Sequence, residues 1–202
     1  MAERKNVNKL PETNYVNELE IRGTVISIRS DERYVAVVVG SANPLTGRRD
    51  FPAAFVFDQF MMESVKSEIK KGDRVTLHCY IETSKKYPRG TIVVEAFTKE
   101  LSRVDAEFSG NEYLPDYNVG KIQGTLVGSV YRPNNSVCLF TVETSCKGRK
   151  AFVKFVKFGS SPVLDSKVEG DQLKIVFGVQ SSTKIVDGKR DTTYTFAVQN
   201  VQ

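Results

Sequence analysis

The chain has 202 residues, room for one large domain or two of about 100 residues each. Its hydrophobic fraction of 40% and charged fraction of 26% are ordinary for a globular protein, and no apolar run approaches the roughly 20 residues of a membrane-spanning helix. The net charge of +5, from 29 basic and 24 acidic residues, is mild and excludes neither nucleic acid nor protein as a partner.

Smaller counts narrow the setting. Met1-Ala2-Glu3-Arg4-Lys5-Asn6 has no apolar stretch behind its charges, so no secretory signal is expected. Three cysteines, Cys79, Cys138 and Cys146, lack paired spacing and point to a reducing, cytoplasmic setting. With His78 the sole histidine and no Cys-x-x-Cys, no zinc site is expected, and nothing calls for another cofactor. The charge is unevenly spread. Residues 105–117 carry Asp105, Glu107, Glu112 and Asp116 and no base, whereas residues 118–202 hold 12 basic and 6 acidic residues.

Residues 1–14 are read as an N-terminal arm. The first strand falls at Ile21–Val25, and Val35–Val39 is β-branched or small throughout. A third strand covers Phe51–Phe57, with Phe51, Ala53 and Phe55 read as facing the core. Phe60–Ile69 changes period: apolar residues at 61, 62, 65 and 69 follow helical spacing. Arg74–Glu82 alternates, with Val75, Leu77, Cys79 and Ile81 on one face and Thr76, His78, Tyr80 and Glu82 on the other. Turn residues punctuate the strands at Asn43-Pro44, Pro133-Asn134-Asn135 and Asp187-Gly188.

The pattern then repeats. Ile21-Arg22-Gly23-Thr24-Val25 recurs as Ile122-Gln123-Gly124-Thr125-Leu126. Asp50–Val56 lines up with Lys150–Val156, and Lys71-Gly72-Asp73-Arg74-Val75 with Glu169-Gly170-Asp171-Gln172-Leu173. Leu173, Ile175, Phe177 and Val179 repeat the inward face of the fourth strand, and Ser160–Val168, which contains Pro162, is reduced to a helical turn. The division is an arm at 1–14, units at 15–104 and 118–202, and an acidic linker at 105–117. Each unit reads three strands, a helix and two strands, which is the order of an OB barrel. The expected fold is all-β with short helices: two tandem five-stranded OB-fold barrels.

With these residues in place, the sequence resembles the single-stranded DNA-binding protein family. Ile21-x-Gly23-Thr24-Val25 is similar to its first strand, Arg33–Val39 and Phe51–Phe57 to its second and third, and Phe60–Ile69 with Lys71-Gly72-Asp73 to its helix and following turn. Lys85-Lys86-Tyr87-Pro88-Arg89-Gly90 stands where the family has its long loop between the last strands. The chain departs from the family in having no tryptophan, no acidic stretch in Phe196–Gln202, and two barrels instead of one. A divergent viral, phage or plasmid member would fit these departures. The resemblance implies binding of single-stranded DNA in replication, recombination or repair, without enzymatic activity, and self-association.

Binding a strand regardless of sequence needs cations for phosphates and ring faces for bases. In Lys150–Phe158, alternation turns Ala151, Val153 and Phe155 inward and Lys150, Phe152, Lys154 and Phe158 outward. Phe152 then either meets bases or covers the other barrel. Lys85, Lys86 and Arg89 place three cations around the Tyr87 ring, and Lys184, Lys189 and Arg190 occupy the matching loop of unit two. Arg48 and Arg49, with Lys147 and Arg149 in unit two, are phosphate candidates. Tyr34, Tyr80, Tyr131 and the adjoining Arg132 are candidate platforms. Cys146 lies near Lys147 and Arg149, whose charges could lower its pKa, but a plain surface thiol is the favoured reading. Gly40–Arg49 lacks the ending of a phosphate loop, and no carboxylate cluster suggests a nuclease. Two alternatives stay open: single-stranded RNA binding, and a scaffold for replication or recombination proteins.

Overall fold

A computed structural model describes residues 15–85, 90–186 and 189–202; the side chains at 186 and 189–191 fall outside that description. The arm read at 1–14 and the Asp187-Gly188 turn are therefore not described.

The alternating runs become strands in the expected order. β1 (Val16–Ser30), β2 (Val35–Ala42), β3 (Arg49–Asp50) and β4 (Ala53–Val56) precede helix α1 (Gln59–Glu68), and β5 (Arg74–Glu82) and β6 (Thr91–Glu100) follow it. Asp58 starts α1: its carboxylate accepts from the Met61 N–H at 2.9 Å. The helical stripe buries Met62 and Val65 and, just past the end, Ile69. β1 pairs with β2, β2 with β4, β6 with β5 and β5 with β1, all antiparallel; β4 meets β6 in parallel and closes the barrel.

Helix α2 (Arg103–Ser109) follows. The second barrel is then β7 (Tyr117–Asn134), β8 (Val137–Cys146), β9 (Arg149–Phe158), the single turn α3 (Pro162–Asp165), β10 (Gln172–Val186) and β11 (Lys189–Val201). It closes identically, with a parallel β9–β11 contact at Phe155–Phe196. Among the described residues no helix is long and apolar enough to cross a membrane.

The duplication holds at atomic detail. Gly72 donates to the Val25 carbonyl at 2.9 Å and Gly170 to the Leu126 carbonyl at 3.0 Å. Both glycines sit at φ +94°, where a side chain would be strained. The aspartates beside them cap the same turn: Asp73 accepts from Lys70 N–H at 2.8 Å and Asp171 from Val168 N–H at 3.0 Å. Gly23 and Gly124 are equivalent too, because a Cβ on either would strike a carbonyl oxygen of the second strand, that of Gly40 or of Glu143.

The barrels share one sheet of 11 strands, joined by antiparallel pairing of β1 with β7. Equivalent residues swap places across this ladder: Asn17 faces Ile122, Ile21 faces Asn118, and Leu19 faces Gly120. The two barrels are thus related by a pseudo-twofold axis at the Leu19–Gly120 pair. Two buried asparagines clamp it. The amide of Asn17 donates to the Ile81 carbonyl at 2.8 Å and accepts from the Ile81 N–H at 2.9 Å; Asn118 does the same to Val179 at 2.8 and 3.0 Å. Ser41 lies 2.7 and 2.6 Å from the carbonyls of Arg22 and Tyr117, and Thr144 lies 3.0 and 3.2 Å from those of Gln123 and Val16. Volume is balanced across the axis. Barrel one pairs Leu19 with Cys79, whereas barrel two pairs Gly120 with Phe177, whose ring fills the space a side chain at 120 would take.

The connection is strapped to barrel one. Arg74 donates to Asp116 at 2.7 Å and to the Leu114 carbonyl at 2.6 Å, with its guanidinium carbon 4.6 Å from the centroid of the Tyr113 ring.

Gly124→Ala is expected to lower stability by about 1–3 kcal/mol in denaturant unfolding, because the obstacle is backbone and cannot step aside. Asn118→Leu is expected to cost a similar amount, about 1–3 kcal/mol, by leaving the Val179 N–H and carbonyl unpaired in the interior.

Candidate nucleic-acid interface

Three rings of barrel one come together at the start of β2 and the end of β4: Tyr34 just before β2, Phe55 on β4 and Phe57 just after it. Tyr34 lies 5.5 Å from Phe55 and 6.3 Å from Phe57, centroid to centroid, and Phe55 and Phe57 stack at 6.2 Å with planes 12° apart. Asp31 sets the turn that delivers Tyr34: it accepts from the N–H groups of Arg33 at 2.7 Å and Tyr34 at 3.1 Å. The bond from the Arg33 N–H holds the Asp31 carboxyl below its ordinary value.

These rings line a cavity of about 270 Å³ with Gly90, Ile92 and, from barrel two, Tyr194 and Phe196. Tyr194 and Phe196 also line a neighbouring cavity of about 520 Å³ with Tyr131, Leu139, Lys154 and Val156. The two cavities form one trough across both barrels, with Tyr194 between them. Burial raises the Tyr194 phenol pKa, opposed by the charge of Arg29 nearby and by the backbone of Ala53 in barrel one. Tyr131 is 63% exposed and offers a free ring face. Such a surface, aromatic along its length, lined by Lys154 and with the charge of Arg29 acting on Tyr194, can take a chain of stacked bases with its phosphates beside cations.

Among the residues singled out from the sequence, the trough collects Tyr34, Tyr131 and Lys154. Others are tied into ion pairs, across the union of the barrels or within barrel two. Lys147 pairs with Glu95 at 3.1 Å, its ammonium 5.2 Å from the Tyr80 centroid, and Arg149 pairs with Glu82 at 3.2 Å. Lys150 pairs with Glu143 at 2.6 Å, and donating to Glu95 and Glu143 raises the pKa of Lys147 and Lys150 respectively. Arg48 donates to Asp50 at 3.1 Å and to the Ser181 carbonyl at 3.0 Å, and Arg132 pairs with Asp165. Arg49, Lys85 and Lys184 are exposed and make no ion pair with another described residue. Lys86, Tyr87 and Arg89, and the side chains of Lys189 and Arg190, lie outside the described residues. His78 is exposed on β5.

The phase read for the third strand needs correcting. Phe51 and Phe55 do not face the core: Ala54 and Val56 are fully buried, while Phe51 is 43% exposed and Phe55 lies in the trough. The Phe51 N–H donates to Ser181 and the Phe152 N–H to Thr83, at 3.0 and 2.9 Å, so Phe51 matches Phe152 and not Ala151. A slip of one residue in a strand exchanges its faces. Phe152, 43% exposed, is anchored by that bond against barrel one and is not part of the trough lining. The Cys146 pKa is raised, by burial first and by Glu95 second, and the nearby Lys147 does not reverse this. Phe55, Phe57, Tyr194 and Arg29 were missed. Their signals were Phe55-Val56-Phe57 and Tyr194-Thr195-Phe196, rings two apart on strands.

No family model and no curated protein matches the sequence. Solved structures do match, and they define the class of the fold: a chain of two OB barrels. The crystal structure of the wild-type single-stranded DNA binding protein from Thermus aquaticus aligns over 93% of this chain and 92% of its own at 10% identity, with a TM-score of 0.65. A deletion variant of that protein aligns over 93% and 94%, also at 10% identity, with a TM-score of 0.66. The tandem-barrel architecture is therefore shared across nearly the full length of both chains.

Alkylation of Cys146 is expected to be slower at neutral pH than that of an unperturbed thiol, and its rate should still climb above pH about 8.5, the ordinary thiol value. A rate that levels off below that pH contradicts the raised pKa.

Proposed function

We propose that the chain binds single-stranded nucleic acid, DNA foremost, with little regard to sequence, and serves replication, recombination or repair without catalysing a reaction. One observation carries this reading: a single aromatic trough runs over both barrels, with Tyr34, Phe55 and Phe57 at one end, Tyr131 and Lys154 at the other, and Tyr194 joining them. Each ring face accepts any base, at about 1–3 kcal/mol per stack, while cations along the edge exchange their counterions for phosphates. The name of the Thermus aquaticus protein that shares the architecture supports the same ligand. Protection of the strand is then passive. Self-association and recruitment of other proteins would use other surfaces, such as the exposed Phe60 of α1 and Phe108 of α2.

Fluorescence anisotropy with labelled dT oligomers of increasing length, against duplex DNA and matched RNA at two salt concentrations, tests the reading. Binding is expected to tighten with length and weaken with salt, with duplex far behind. Phe57→Ala and Tyr131→Ala are each expected to weaken dT binding about 5- to 150-fold, the loss of one stacked base. Lys154→Ala should lower the salt slope by about one. No binding of any strand at low salt overturns the proposal and turns attention to protein partners.

A further inference from the structure

The seam between the barrels holds another cavity, of about 410 Å³, separate from the trough. Barrel one contributes Asn43 and Asp50 to its wall; barrel two contributes Lys157, Phe158, Gly178 and Gln199.

Asp50 is 1% exposed. Its Oδ1 is fully engaged, accepting from Arg48 Nε at 3.1 Å, the Ser181 N–H at 2.8 Å and the Ser181 hydroxyl at 3.3 Å. Its Oδ2 is buried and has no partner among the described residues, and neither has the buried Oε1 of Gln199. The Asn43 amide donates to the Asn118 carbonyl at 2.6 Å and makes no bond to either of these acceptors. A buried acceptor without a donor is costly, and a carboxylate oxygen more so than a neutral one. The wall therefore wants N–H groups from elsewhere. Phe158 is 51% exposed at this site, and Lys157 is held beside it by a 3.0 Å bond from Nζ to the Phe158 carbonyl.

We propose that this cavity seats one amino-bearing base of a bound strand, cytosine foremost. Its exocyclic N–H groups meet the acceptors of Asp50 and Gln199 while Phe158 covers its face. Carboxylates accept from the cytosine amino group in base recognition, and thymine presents an acceptor there instead. The route is direct: Lys154, Val156 and Phe158 share one face of β9, so a strand leaving the trough at Lys154 reaches Phe158 roughly 13 Å further on. This proposal rests on the trough reading and adds one discriminating position to an otherwise indifferent surface.

The test compares dC and dT oligomers of equal length by anisotropy on the full chain. dC is expected to bind at least about fivefold more tightly. Asp50→Asn puts a donor in place of Oδ2 and should shift the preference toward dT. Asp50 also holds Ser181, so a second probe avoids altering the protein: cytosine dimethylated on its exocyclic nitrogen should bind no better than thymine. Tight but equal binding of dC and dT, or an undiminished dimethylated probe, overturns the seat and leaves the trough standing. Absence of binding by either oligomer overturns both.

Discussion

The antiparallel ladder between β1 and β7 governs the rest of the structure. It converts two small barrels into one sheet, and the barrels have no freedom to swing because the joining strands are also the first strand of each barrel. Backbone pairing alone leaves register weakly specified. Here the register is fixed by polar side chains in the interior. Asn17 and Asn118 each satisfy both backbone groups of one residue on the fourth strand, and a shift of the ladder would strand those amides without partners.

The trough follows from that rigidity. Tyr194 belongs to barrel two but leans on Ala53 of barrel one, and Phe196 approaches Gly90 so closely that a side chain there would strike its ring. A surface that uses rings from both halves keeps its shape only when the halves cannot turn. Positive charge at the union is spent on the same end: Lys147, Arg149 and Arg48 are tied to acidic residues and carbonyls of the neighbouring elements. Cations outside ion pairs among the described residues lie further out and include Arg29, Arg49, Lys85, Lys154 and Lys184.

Much of the fold was legible because its signals are local. Arg74–Glu82 alternates so cleanly that all four residues read as inward are buried, and the Gly-Asp turn repeats its hydrogen bonds in both halves. The site was less legible. A strand as short as Ala53–Val56 offers too few residues to fix its phase, and matching it to its repeat one position off exchanged its faces, so Phe55 was read as core. The ion pairs of Lys147 and Arg149 were illegible for another reason: their partners, Glu95 and Glu82, lie in the other barrel, and no local pattern announces them. Tyr194 was hidden likewise, since its neighbours across the trough belong to the first half.

The pairing of Leu19 with Cys79 against Gly120 with Phe177 shows how far the duplicated halves have diverged. Two copies of the first half brought together about the same axis would oppose leucine to leucine where the ladder now sets leucine against glycine. Two copies of the second would oppose glycine to glycine. Each half has kept the shape that suits the other and lost the one that suits itself. The repeat has become a lock and its key, so the two barrels recognise each other as unlike partners, and the covalent connection ensures that they meet.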